Sequence, residues 1–285
     1  TWFPAHERAK ANGVWFVGLN FSLLAGIPLV AWLVAVLGWS GSFYAIAVLN
    51  IIPVFACFAL VYDTIAAHPR ISKEEAEYIA VGKMEEVHSL SKSVTSYKFL
   101  TKKVFWLASI VYAFNLASFW GIQTWLPTYL ITSHGFSWAK GGILSAVPYI
   151  ANISFLIIFT PLMDKFNSRA PFTTGGCVVL TISMFLVTIA NDPLLALAAI
   201  SLGFGCITLA NCSLFPILQN EMDSSEIATA AGCLTGVAYV FSSAFPYVMG
   251  AMYKYMGSLD ACFYLLGING VVSILATLPM VRRRL

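Results

Sequence analysis

Eight stretches of this chain run through interiors free of Asp, Glu, Lys, Arg and His: near 13–37, 41–62, 104–131, 141–163, 172–191, 193–218, 228–252 and 260–281. Each is long enough to cross a bilayer, which takes about 20 apolar residues. In lipid the backbone finds no water to bond, so an apolar run of this length has to close its hydrogen bonds within itself as helix. Composition agrees: 59% of the 285 residues are hydrophobic and 10% are charged, against about 25% charged in a soluble domain. The expected fold class is all-α: a polytopic membrane protein with eight transmembrane helices.

The charges that remain are distributed unevenly. If the first loop is cytoplasmic, that side carries Arg8, Lys10, seven Lys and Arg in 63–103, Lys165, Arg169 and Arg282 to Arg284, whereas the other side has only Lys140 and Lys254. A 14-to-2 split is a strong positive-inside pattern, and it predicts cytoplasmic positions for both ends. The net charge of +3 gives no sign of a nucleic-acid partner.

An internal repeat adds a count of helices. Residues 7–13 read Glu-Arg-Ala-Lys-Ala-Asn-Gly and residues 226–232 read Glu-Ile-Ala-Thr-Ala-Ala-Gly, 219 positions apart; the same offset carries Gly38 onto Gly257 and Asn50 onto Asn269. Each copy opens a pair of apolar spans. The first pair therefore corresponds to the last two of the six spans that follow the polar segment 63–103. Equal halves imply four more helices upstream, hence a twelve-helix protein in a 6+6 plan. The domains expected on this basis are 1–62, the last two helices of a first bundle; 63–103, a cytoplasmic central loop; and 104–285, a complete six-helix bundle. Within the loop, Ser72-Lys73-Glu74-Glu75 is a capping-box pattern that opens a short surface helix over 74–87. The loop reads either as a solvated linker or as a regulatory contact.

The six cysteines all lie in apolar segments without a CxxC pair, and the four histidines are scattered through loops without metal-ligand spacing. No cofactor is expected. An enzyme would gather ionisable groups near an interface, and no such constellation is present.

Several local motifs resemble one family. Trp2-Phe3-Pro4, with Glu7, Arg8 and Ala11, is similar to the loop before the fifth helix of the anion:cation symporter family within the major facilitator superfamily. His68-Pro69-Arg70-Ile71-Ser72 with Glu77-Tyr78-Ile79 resembles that family's central loop, and Thr124-Trp125-Leu126-Pro127-Thr128-Tyr129-Leu130 the outer end of its seventh helix. Asp164-Lys165 with Arg169 resembles the superfamily's loop motif, although Thr160 stands where a Gly is usual. The resemblance implies a secondary transporter of small organic anions, sugar acids or other carboxylates, driven by a coupling cation through alternating access. It also implies a bacterial inner-membrane location and a monomer when complete.

Two sets of residues follow as candidates. With no charge inside the spans, buried polar groups must turn to other helices or to a watery cavity: Asn20, Asn115, Gln123, Thr124, Tyr149, Asn152, Asn211, Thr235, Tyr239, Ser242 and Ser243. Tyr239, Ser242 and Ser243 share one helical face at i, i+3 and i+4, with Thr235 a turn earlier. The resemblance favours Asn20, Asn115, Gln123, Asn211 and Tyr239 as cavity residues. Ser and Thr serve equally as packing contacts between helices. The second set is a gating group at the cytoplasmic ends: Glu7, Arg8, Asp164, Lys165, Arg169 and Glu226. A carboxylate beside a helix N-terminus meets about half a positive charge, and the pseudo-symmetry of the family sets Asp164 opposite the helix that starts near Ala11–Gly13. A latch on the cytoplasmic face and an ordinary charged loop end are both compatible with this pattern.

Proton symport needs a titratable group in the path, and none of the eight spans holds one in its interior. Either the coupling charges lie in the upstream helices or the carrier uses no protons. These residues alone are not expected to transport. An efflux carrier for neutral or drug-like solutes is the competing reading, and a non-transporting scaffold or enzyme the remote one.

Overall fold

In the computed structural model the described residues are 8–62, 69, 71–79, 97–166, 169–222 and 226–282, apart from the side chains of 8–17, 19, 20 and 164. The described secondary structure is helical throughout. Helix α1 (Arg8–Leu60) carries the first two expected spans. Its apolar part, Phe21–Leu60, has 40 residues, about 60 Å at 1.5 Å per residue. That is twice the ~30 Å hydrocarbon core of a bilayer. The backbone leaves helical geometry at Gly38 (φ 70°, ψ 178°), so α1 consists of two limbs. Seven helical segments among the described residues are long and apolar enough to span a membrane, and the two limbs of the first account for the difference from eight.

The capping-box reading holds over the first turn of a short helix, α2, at 73–79. Glu75 N–H donates to Ser72 Oγ at 3.1 Å, and Ala76 N–H to the Ser72 carbonyl at 3.0 Å. Residues 80–87 of the expected surface helix lie outside the described residues. The remaining helices are α3 (Lys103–Thr132), α4 (Trp138–Leu144), α5 (Val147–Phe166), α6 (Ala170–Ile189), α7 (Pro193–Glu221), α8 (Ile227–Ser243), α9 (Phe245–Met256) and α10 (Asp260–Arg282).

Two expected spans are thus divided. The fourth breaks between α4 and α5, the seventh between α8 and α9. Both breaks fall in nearly the same pentapeptide, Ser145-Ala146-Val147-Pro148-Tyr149 and Ser243-Ala244-Phe245-Pro246-Tyr247. Proline lacks the N–H that would continue the ladder, and its ring crowds the carbonyl of the preceding turn. Pro28, Pro53 and Pro216 sit inside helices that continue past them.

Helix α6 packs between α7 and α10, α3 lies against α7, α8 and α10, α5 lies against α7, and α1 rests on α4 and α5. The apolar core forms two layers along the helix axes. One gathers Leu126, Tyr129, Met184, Ile200 and Leu266; the other gathers Phe105, Leu116, Leu214, Leu234 and Met280. Between them runs a polar seam. Asn115 Nδ2 donates to Ser273 Oγ at 3.4 Å and to Cys177 Sγ at 3.7 Å, while Asn269 Nδ2 donates to Ser118 Oγ at 3.4 Å. Gly270 packs directly against Thr181. Small residues and side-chain amides are what hold helices together where lipid gives no hydrophobic drive.

Candidate functional site

Phe204 of α7 joins three helices. Its ring stacks on Phe119 of α3 (centroids 5.0 Å apart, planes at 22°) and meets Tyr149 of α5 edge-on at 5.1 Å. Its carbonyl accepts from Asn152 Nδ2 at 3.1 Å. The sequence therefore sets a large aromatic where α3, α5 and α7 meet, with the polar groups of Tyr149 and Asn152 against it. Gln123 follows Phe119 by one turn on α3, and Asn211 follows Phe204 by seven residues on α7, nearly the same face of that helix.

Three of these polar groups have a buried atom without a hydrogen-bond partner among the described residues: Gln123 Oε1, Tyr149 Oη and Asn211 Oδ1. A buried polar atom left unsatisfied costs about 1–3 kcal/mol, so each such atom marks a place that a ligand or water would stabilise. Gln123 and Asn211 are half-buried rather than sealed, and Thr124 beside Gln123 is exposed.

The other expected path residues are placed differently. Asn115, 1% exposed, spends its amide nitrogen inside its own bundle, on the Val111 carbonyl at 2.9 Å and on the seam described above, although its Oδ1 too has no partner among the described residues. On α8 the expected polar face divides. Ser242 is fully buried in line with Ala230, Leu234 and Ala238, whereas Tyr239 and Ser243 are exposed and Thr235 half-buried. The hydroxyls of Thr235, Ser242 and Ser243 all donate to backbone of their own helix, at 2.8, 3.2 and 2.9 Å. The side chain of Asn20 lies outside the described residues.

Of the gating candidates, Glu7 and the side chains of Arg8 and Asp164 lie outside the described residues. Lys165 is exposed in the last turn of α5, and Arg169 is the N-cap residue of α6, half-buried. Glu226 is the N-cap residue of α8 and almost wholly buried, with Lys102 Nζ 3.9 Å from its Oε2. Sequence reasoning overlooked Lys102, Phe204, Ser118 and Asn269. Asn269 carried a usable signal, an amide isolated in an apolar helix, the same signal that singled out Asn20.

The sequence profile described as Major Facilitator Superfamily matches residues 1–246. The chain is 30% identical over 264 residues to the Bacillus subtilis protein named uncharacterized transporter YybO, covering 83% of this chain and 58% of that protein. It is 26% identical over 302 residues to the hexuronate transporter of Escherichia coli, covering 98% and 68%. It is 22% identical over 289 residues to a quinolone resistance transporter of Acinetobacter baumannii, covering 97% and 65%. The chain thus spans roughly three fifths to two thirds of the length of these relatives. Among solved structures, a bacterial homologue of the human lysosomal transporter Spinster, inward-facing and unoccupied, superposes with a TM-score of 0.61 at 14% identity, over 99% of this chain and 73% of that one. At that identity the likeness is one of fold.

Proposed function

The chain belongs to the Major Facilitator Superfamily, and from that premise we propose that it is the greater part of a secondary carrier for small organic anions of the sugar-acid class, coupled to a cation gradient. The single observation that carries this reading is the alignment with a hexuronate transporter over 98% of the chain. The neutral polar atoms around Phe204 suit such a substrate. A sugar acid presents many hydroxyls, and amide and phenol groups can both donate to and accept from them. Gln123, Tyr149, Asn152 and Asn211 are the residues we assign to that contact, with Asn20, Thr124, Tyr239 and Ser243 lining the same path and Asn115, Thr235 and Ser242 supporting it. The spans bring no fixed charge, so the carboxylate's partner and the coupling group come from elsewhere in the transporter.

In this reading residues 1–62 belong to one bundle, 104–285 form the other, 63–103 connect them on the cytoplasmic side of the inner membrane, and the carrier works as a monomer. Alternating access then has α1 rocking against α4 and α5. Ala31 of α1 abuts Gly142 of α4 so closely that a Cβ on Gly142 would collide with it. In the topology of this reading α1 begins and α5 ends on the cytoplasmic side, and Ala9 and Asp164 each lie 22 residues along the chain from that contact. This register supports a latch between the α5–α6 turn (Asp164, Lys165, Arg169) and the start of α1 (Glu7, Arg8), with Glu226 in the matching place of the second half. The test is a competition panel: hexuronates and hexonates are expected to block uptake of a labelled hexuronate, and aromatic acids to block it less.

A second reading rests on the quinolone resistance relative, which aligns over 97% of the chain: export of a drug-like solute past the Phe119–Phe204 stack. Quinolone export without sugar-acid uptake would establish it in place of the first.

A further inference from the structure

On the outer side of the six-helix bundle, α5, α6 and α7 enclose a groove of about 450 Å³. Its walls are Phe155 and Phe159 of α5, Phe172 and Gly175 of α6, and Leu202 of α7; buried Leu209 closes the floor. Phe155 and Phe159 lie 5.1 Å apart. The groove shares no lining residue with the Phe204 cluster. Its flanks, Ile157 and Ile158 on α5 and Val178 and Ile182 on α6, are exposed apolar side chains, as expected of a surface that meets lipid.

The groove has a direction. It begins at Pro171 in the first turn of α6 and reaches Val179, about 12 Å deeper at 1.5 Å per residue. The deep end is hydrocarbon-like, and a polyhydroxy or charged ligand would lose its hydration there without replacement. The shallow end is basic. Exposed Lys165 lies in the last turn of α5, and Arg169 opens α6. Thr181 against Gly270 and Phe185 against Gly267 fix an antiparallel register between α6 and α10, and continuing it brings exposed Arg282 to the level of Ala170.

We propose that this groove seats an acyl chain of an anionic phospholipid of the surrounding bilayer, with the headgroup phosphate on the Lys165–Arg169 rim. Apolar depth and basic mouth match the two ends of such a lipid, and basic pockets between helices at a membrane surface are where acidic headgroups bind. The bound lipid bridges α5 and α6 at the turn that carries Asp164. The site does not depend on which solute the carrier moves.

Native mass spectrometry of the purified protein, with phosphatidylglycerol or phosphatidylcholine of identical chains added, tests this. Gly175→Phe fills the groove, since nothing lies within 4 Å of a Cβ built there. Lys165→Gln removes one exposed charge and leaves the packing untouched. Retention of phosphatidylglycerol over phosphatidylcholine is expected. Gly175→Phe is expected to abolish it, and Lys165→Gln to weaken it about fivefold, the factor for one basic residue near an anionic surface. Equal retention of both lipids overturns the proposal. So does phosphatidylglycerol binding that survives Gly175→Phe with unaltered melting. If Gly175→Phe fails to fold, Lys165→Gln decides: an unchanged lipid preference then overturns the proposal.

Discussion

Gly38 and Gly257, the pair related by the 219-residue repeat, both take φ 70°. They do so for different turns. Gly257 is a left-handed C-cap of α9 with ψ 3°, a geometry that Asn also tolerates. Gly38 combines φ 70° with ψ 178°, a region essentially closed to any side chain. Gly257→Asn is therefore expected to lower stability by only a few tenths of a kcal/mol, and Gly38→Asn by about 1–3 kcal/mol. Thermal unfolding in detergent compares them, and equal losses would contradict the assignment.

Lys102 and Glu226 tie three helix ends together. The ammonium donates to the Glu221 carbonyl at 2.9 Å, at the negative end of α7, and stands 3.9 Å from the buried carboxylate at the start of α8. Removing one partner of a buried pair costs about 3–5 kcal/mol; with the lysine a third exposed to solvent, screening reduces this to about 1–3 kcal/mol. Lys102→Met should destabilise by that amount. Adding Glu226→Gln should recover part of it, because a neutral amide is cheaper to bury than a carboxylate that has lost its ammonium neighbour. A double variant no more stable than Lys102→Met would rule out the pair.

Asn115 and Gln123 separate packing from transport. Asn115→Leu removes bonds within the seam of α3, α6 and α10 and should cost about 1–2 kcal/mol of stability with KM little changed. Gln123→Leu removes a group whose Oε1 has no partner among the described residues. It should raise KM about five- to tenfold with melting unaltered. Uptake kinetics and unfolding of the two variants check this, and the reverse pattern would exchange their roles.

How far the sequence could be read follows from which forces act within a span and which act between spans. The spans are local consequences of apolar length, so they were legible; which prolines divide a span was not, since Pro28, Pro53 and Pro216 sit inside helices that continue past them. The division of the α8 strip was not. Ser242 joins Ala230, Leu234 and Ala238 on the buried line because α3 packs there, and no single helix records its neighbour. Lys102 was hidden for the same reason: it contacts Glu221 and Glu226 only once α7 and α8 have come together. Phe204 looked like one more apolar residue until Phe119, Tyr149 and Asn152 met around it.

The proposed latch places residues 8–14 level with the α5–α6 turn. Cysteines introduced as Ala11→Cys and Lys165→Cys, with the six native cysteines replaced, should form a disulfide in one conformation of the carrier and arrest transport until reduced. Failure to cross-link in the presence or absence of substrate would remove the latch.

The most direct measurement is gradient-driven uptake of a labelled hexuronate into proteoliposomes holding the transporter encoded in full. Accumulation that an inward proton or sodium gradient drives, that an ionophore abolishes, and that Gln123→Leu weakens is the expected result. Uptake no faster than in empty liposomes under every gradient would contradict a sugar-acid carrier.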